Sequence, residues 1–350
     1  MKKIENIFNL TISQLEFHLT NLKEQKFRAK QLFEWLYKKQ IINLDLMSNL
    51  STSLKQKISK SFNIKIPLLY KVDSCLQDNS HKFLIKTYDD KLIESILMIV
   101  KKRVTLCISC MIGCPLKCSF CATGSELKFI RKLETFEILG QILTIQNYIR
   151  KNNIADKITN IVFMGMGEPL LNFNNVKKTI EILLDPNGFS MSKRKITIST
   201  AGIIDGLSEF INKYKIKLAI SLHFPFEEQR SIFMPINRKI SLESLIKELK
   251  RIKLAKRDYI TIEYLMLNKI NDTLKHAKQL VKILNGIKTK VNLIPYNTTT
   301  SFNVEPSSEE NLNYFAKYIR SKNIMVTIRR SKGKKIKGGC GQFILNSGKK

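Results

Sequence analysis

No stretch of the 350 residues approaches the run of about 20 uninterrupted apolar residues that a membrane-spanning helix requires. The start, "MKKIENIFNLTISQ", carries a basic pair, yet Glu5 and two asparagines break up any apolar core of a signal peptide. A cytoplasmic location and no membrane partner are therefore expected. Repeats of solenoid length are absent, and so is any low-complexity linker. Apolar content of 43% and charged content of 25% belong to an ordinary globular chain and exclude wholesale disorder. At this length a large core and a smaller one can form without disulfide staples. In a reducing compartment the seven cysteines then read as metal ligands or redox groups.

Acidic side chains are the scarce class. Against 60 Lys plus Arg stand 29 Asp plus Glu, a net charge of +31, which favours a polyanionic partner, nucleic acid first of all. A gene rich in A and T would also raise Lys, Ile and Asn everywhere, but runs such as "RRSKGKKIKGG" concentrate the charge locally. The single tryptophan, Trp35, sits in an apolar stripe with Phe27, Leu32 and Leu36, so it is expected in a core rather than as a base-stacking platform.

The first 75 or so residues read as helices. Thr11-x-x-Gln14 and Ser13-x-x-Glu16 are capping-box starts, and Leu15, Leu19 and Leu22, then Leu50, Leu54 and Ile58, recur at helical spacing. From "HKFLIKTYDDKLIESILMIV" the pattern changes to a hairpin about Asp89 and Asp90 that leads into "RVTLCISC". Strand-like and helix-like segments then alternate through about six βα units, which predicts an α/β fold with a parallel sheet wrapped by helices, open or curled into a partial barrel. In such folds the chemistry sits at the carboxyl ends of the strands. There "MGMGEP" follows "ITNIVF", His223 follows "LAISL" and Asn297 follows "VNLIPY".

Five cysteines fall within "CISCMIGCPLKCSFCATG". Cys114, Cys118 and Cys121, spaced Cys-x3-Cys-x2-Cys, can hold three corners of an iron–sulfur cubane and leave the fourth iron open. Zinc is the competing reading, through Cys107-x2-Cys110 and Cys118-x2-Cys121, although the pairs stand closer together than in zinc ribbons. A dithiol redox role for Cys107 and Cys110 is a third.

This spacing, with Phe120 before the last cysteine, resembles the signature of the radical S-adenosylmethionine superfamily, and "GMGEP" looks like that superfamily's glycine-rich motif. Within it, "FRAKQLFEWLYKK", "VTLCISCMIGCPLKCSFCATG", "ITISTAG", "SLH", "LIPYN" and the terminal "GGCGQ" resemble, in order, the blocks of the RlmN/Cfr group of RNA adenosine methyltransferases. The resemblance implies a partial (β/α)6 radical barrel with a small helical N-terminal domain. Its expected divisions are residues 1–75 as an RNA-binding helical domain, 76–102 as a hairpin linker, 103–330 as the barrel and 331–350 as a tail. It further implies a [4Fe-4S] cluster on Cys114, Cys118 and Cys121, with S-adenosylmethionine held by Gly167, Glu168, Ser199, Ser221, Leu222, His223 and Asn297. Cys340 would carry the methyl group, Glu94 would accept the adenine proton, and Cys107 would form a disulfide with Cys340. Expected partners are 23S rRNA, tRNA and a reduced flavodoxin-type electron donor. The product would be C2-methylated adenosine, with C8 methylation of the same base the close alternative. Cys110 departs from the pattern, standing where the family leads one to expect serine. Without the resemblance, Cys340 reads as a free thiol, Glu94 as a solvated edge-strand carboxylate and His223 as a satisfied core histidine.

Overall fold

The structure, a computed structural model, describes residues 4–345. The end of the expected tail, 346–350, lies outside the described residues, as do 1–3. The chain begins with α1 (Ile12–Asn21), α2 (Phe27–Phe33, continued by a π-helical turn over Glu34–Lys38) and α3 (Thr52–Ser61). The Thr11 capping box forms: the Gln14 N–H donates to Thr11 Oγ1 at 3.4 Å, and the Thr11 N–H donates to Gln14 Oε1 at 3.1 Å. Ser13 and Glu16 already lie inside α1, so the second expected box is not used. Leu15, Leu19, Leu32, Leu36, Leu54 and Ile58 form the shared core. Trp35 joins them, and its Nε1–H donates to Asn49 Oδ1 at 2.5 Å, as a buried indole requires.

The helical reading of 1–75 fails at its end. After Pro67, which cannot continue a helix, Leu68–Cys75 is a strand, β1. Its backbone pairs antiparallel with β2 (Ser80–Lys86), which pairs with β3 (Leu92–Val100) across the expected turn, where Asp90 takes a left-handed φ of 60°. Nor are 76–102 a linker. These strands extend one ten-stranded sheet, because β3 pairs antiparallel with β4 (Arg103–Cys107).

From β4 onward the sheet is parallel. Its strands are β7 (Asn160–Phe163), β8 (Ile196–Thr200), β9 (Lys217–Ser221), β10 (Ile260–Met266), β11 (Thr289–Pro295) and β12 (Met325–Ile328), in that spatial order. A short antiparallel pair, β5 (Met111–Ile112) and β6 (Arg131–Lys132), brackets the cysteine loop, which includes α4 (Ala122–Ser125). The crossovers are α5 (Thr135–Lys151), α6 (Phe173–Leu184), α7 (Leu207–Tyr214), α8 (Glu227–Phe233) with α9 (Leu242–Lys250), α10 (Leu274–Ile283) and α11 (Glu309–Arg320). Six βα units closed by β12 match the alternation in the sequence.

The sheet is curled. Arg329, just past β12, places Nη1 3.9 Å from Met164 Sδ, just past β7. Five strand steps separate β7 from β12 along the sheet, a span of about 24 Å if it were flat. A partial barrel brings them together. α5 shows what holds its wall. Ile138, Leu139, Ile142, Ile145 and Ile149 are buried, and each such side chain contributes about 1.5–3 kcal/mol of apolar burial. The N-terminal helices dock on the same helix: Asn9 Oδ1 accepts from the Phe136 N–H at 2.9 Å, and Asn9 Nδ2 donates to Glu134 at 2.8 Å.

Candidate active site

The loop between β5 and β6 starts on Gly113, whose φ of +75° suits glycine. A Cβ there would lie 2.4 Å from the Lys128 carbonyl oxygen, so the loop can close tightly. It gathers Cys114, Cys118 and Cys121. Burial raises the pKa of all three thiols, that of Cys114 to about 12, and the charge of one raises another. The three thiols share one loop, near enough for the charge of Cys121 to act on both Cys114 and Cys118, and in number, type and setting they fit an iron–sulfur cluster. Among the described residues no three His, Cys, Asp or Glu side chains converge as around a single ion. A cubane holds its thiolates at separate corners and needs no such convergence. Cys110 neighbours Cys114 and Glu168, but its thiol has a protein partner of its own. It is buried, and its thiol donates to the Met166 carbonyl at 3.6 Å.

The strands' carboxyl ends converge beside this loop. Gly167 has φ +96°, and a Cβ on it would fall 2.5 Å from Met111 Cβ. Glu168 is buried and accepts from the Leu170 N–H at 3.1 Å and the Ala201 N–H at 2.8 Å, while burial raises its pKa to about 7. Each oxygen keeps a lone pair for a donor such as an amino group. Ser199 lies in β8 and Ser221 ends β9. Leu222 is fully buried, so its side chain packs in the core and only its backbone is polar. His223 Nδ1 accepts from the Leu265 N–H at 3.1 Å, which places the proton of the neutral ring on Nε2. Burial, helped by nearby Arg230, lowers its pKa to about 3, and Phe120 meets the ring edge-on at 5.0 Å. Asn297 donates through Nδ2 to Ser331 Oγ at 2.8 Å and to the Cys340 carbonyl at 3.2 Å, leaving Oδ1 buried without a partner among the described residues.

The C-terminal segment closes over the loop. The Ala122 N–H donates to the Gly341 carbonyl at 2.8 Å, and Thr123 Oγ1 donates to the Phe343 carbonyl at 2.8 Å. Exposed Cys340 thereby comes close enough for its charge to raise the pKa of both Cys121 and Cys107. Cys107, at the end of β4, is buried, and chiefly for that reason its pKa rises to about 12. Cys107 and Cys340 line one end of the barrel lumen, a cavity of about 1110 Å³. Ser199 and Ser221 lie two residues beyond Thr197 and Ala219 of that lining on β8 and β9, so they share the lumen face at the strands' carboxyl ends.

Glu94 is no solvated edge residue. It is 0% exposed on β3, between β2 and β4, and burial raises its pKa. Several residues of this region carried no signal in the sequence. Arg329 stands between Cys107, Cys340 and Glu263, whose Oε1 is 3.5 Å away. Buried Arg230 donates to Ala201 O at 2.6 Å, Asn237 Oδ1 at 2.6 Å and Leu222 O at 3.3 Å, bracing the ends of β8 and β9 beside Cys118. Ser109 donates through Oγ to the Glu94 carbonyl at 2.6 Å and accepts from the Met166 N–H at 2.9 Å, tying three segments of the site together.

Residues 108–281 match the Radical SAM superfamily, and residues 5–64 match the Ribosomal RNA large subunit methyltransferase N-terminal domain. The Dual-specificity RNA methyltransferase RlmN of Buchnera aphidicola subsp. Schizaphis graminum is 41% identical over 97% of this chain and 93% of its own length. That of Geotalea uraniireducens is 37% identical over 98% of this chain and 97% of its own. A radical SAM methyltransferase from Sphaerobacter thermophilus, solved by crystallography, superposes with a TM-score of 0.90 at 31% identity, covering 97% of this chain and 99% of that one.

Proposed function

The chain belongs to the radical S-adenosylmethionine superfamily and, within it, to the RlmN family of RNA methyltransferases, and from that membership we propose which of its residues perform each part of the reaction. It is an enzyme whose cofactors are a [4Fe-4S] cluster and S-adenosylmethionine. Its product is C2-methylated adenosine in 23S rRNA at the peptidyl transferase centre, and in tRNA beside the anticodon.

Cys114, Cys118 and Cys121 hold the cluster. Gly167, Glu168, Ser199, Ser221, His223, Asn297 and the Leu222 backbone hold S-adenosylmethionine. When bound, these groups supply a 5'-deoxyadenosyl radical and a methyl group. Cys340 Sγ carries the one-carbon unit to the base, Glu94 takes the proton that leaves C2, and Cys107 pairs with Cys340 in a disulfide as the methylated base departs. One observation carries this reading: a cysteine far along the chain is docked on the cysteine loop through the 2.8 Å bond from Ala122 to Gly341, lining the same cavity as Cys107. The basic helical domain would engage phosphates. It also exposes Phe17 and Phe27, the latter with the Arg28 guanidinium 4.7 Å above its ring, as surfaces on which unstacked bases can lie. The net positive charge suits an acidic flavodoxin-type electron donor working in the cytoplasm.

The test is incubation of the reduced, cluster-loaded enzyme with 23S rRNA and tRNA, followed by mass spectrometry of nucleosides. Formation of 2-methyladenosine is expected, along with S-methylcysteine at position 340. Appearance of 8-methyladenosine instead would move the enzyme to the C8 chemistry, and an unmodified Cys340 in active enzyme would overturn the carrier role.

A further inference from the structure

Lys82 lies on β2 among Phe83, Leu84 and Ile85, and its side chain is only 4% exposed. An ammonium is seldom buried so far unless something pairs with it, because leaving water costs several kcal/mol. What pairs with it is Glu94: Nζ stands 3.3 Å from Oε1. Among the described residues neither Glu94 oxygen accepts a well-formed hydrogen bond. On its other side, Lys82 Nζ is 4.0 Å from Asp73 Oδ2 on β1, and Asp73 Oδ1 is in turn 3.1 Å from Lys71 Nζ near the surface. Charges of alternating sign therefore run across three strands, from the buried end at Glu94 outward.

We propose that Lys82 is the positioning residue that keeps Glu94 ionised inside the dry site, so that it can receive the adenine proton. This rests on the reading of Glu94 as the base. A carboxyl group so fully buried would by itself become neutral, and a neutral acid cannot accept a proton. An adjacent cation holds the charge in place while low dielectric keeps the group more basic than a solvated carboxylate. Among the described residues the charged groups facing Glu94 are Lys82 from β2 and, behind it, Asp73 from β1. Among the described residues the C-terminal segment contributes the Ile344 backbone, and the loop after β7 the uncharged Met166 sulfur, 3.4 Å from the Glu94 nitrogen. Lys82 lowers the pKa of Glu94 and Asp73 raises it, so removing each must move it in opposite directions.

The experiment is the pH dependence of RNA methylation by full-length, cluster-loaded enzyme, with S-methyl formation on Cys340 followed separately by mass. In Lys82→Met the acid limb should move to higher pH by about one unit or more, a loss of about tenfold at fixed pH on that limb, with recovery as pH rises. Lys82→Arg should restore the normal profile. Asp73→Asn, which leaves the buried pair intact, should move the limb to lower pH and keeps the idea testable if Lys82→Met folds poorly. S-methylation of Cys340, which needs no proton acceptor for adenine, should proceed in all of them. A Lys82→Met profile that superposes on the wild type, beside an inactive Glu94→Gln, overturns the role of Lys82 alone. Full activity in Glu94→Gln removes the base reading itself.

Discussion

The Asn297 side chain donates to the Cys340 carbonyl at 3.2 Å, so a residue just past β11 holds the backbone of the cysteine proposed to carry the methyl group. A Cβ on Gly339, beside Cys340, would approach Asn297 Nδ2 to 2.9 Å and push that amide aside. Asn297 thus serves two masters, the carrier segment through Nδ2 and the proposed cofactor through the unpartnered Oδ1. Asn297→Ala should free the segment around Cys340 and remove that acceptor. With each bond contributing about 1 kcal/mol, the combined effect should be a loss of at least about tenfold in methylation. Hydrogen exchange should speed up over 338–342, whereas the iron content should not change.

The extra cysteine separates the ligand assignment from its rivals. Because the Cys110 thiol already donates to Met166 O, a serine hydroxyl can take over the same contact. Cys110→Ser should therefore keep wild-type iron and acid-labile sulfide, whereas Cys118→Ala should lose most of both. Iron analysis of anaerobically purified protein decides it. Stoichiometric zinc in a colourless preparation, or cluster loss in Cys110→Ser, would send the assignment back to the paired Cys-x2-Cys reading.

Much of this site could be read from residue spacing because its parts are local. Cys114, Cys118 and Cys121 lie within one loop, and "GMGEP" is one turn at one strand end. The strands and helices of the barrel likewise announce themselves through alternation of pattern. What spacing could not give are the pairs that form only when strands are brought side by side or the sheet curls. Arg329 meets Met164 only because β12 swings round to β7, and Lys82 meets Glu94 across a strand pair, so neither has a signature along the chain. The strand at Leu68–Cys75 is hidden from the sequence for another reason. In "LLYKVDSC" the exposure pattern alternates poorly, with Leu68 and Tyr70 open to solvent, so its strand character comes from pairing with β2 rather than from a buried face.

Gly167 should be intolerant of even one added carbon. Its φ of +96° and the 2.5 Å approach to Met111 Cβ mean that Gly167→Ala must shift the strand-end turn carrying Glu168, storing about 1–3 kcal/mol of strain. S-adenosylmethionine affinity, read by equilibrium dialysis, should fall by about tenfold or more while the iron content is retained. Unchanged affinity would mean that this turn does not hold the cofactor.

The cysteine loop is anchored by Arg131, and the anchor has a pH dependence of defined sign. Arg131 Nη2 donates to Asp89 at 2.7 Å and Nη1 to Glu137 at 2.7 Å, which fixes β6 to both the hairpin turn and the start of α5. Glu137 is fully buried, so Arg131→Ala leaves an unpaired carboxylate and should cost about 3–5 kcal/mol. Asp89 is held below its ordinary pKa, chiefly by the Arg131 hydrogen bond. Its contribution is therefore complete above the unfolded value of about 3.9 and disappears as pH falls through the lower folded one. Asp89→Asn should destabilise the protein by about 2 kcal/mol at neutral pH, the worth of a hydrogen bond to a charged group, and the gap from wild type should close as pH drops below about 3.9. Urea melts of both proteins across that range would check the sign. A gap that stays constant with pH would show that the Asp89 charge contributes nothing and that Arg131 anchors the loop through Glu137 alone.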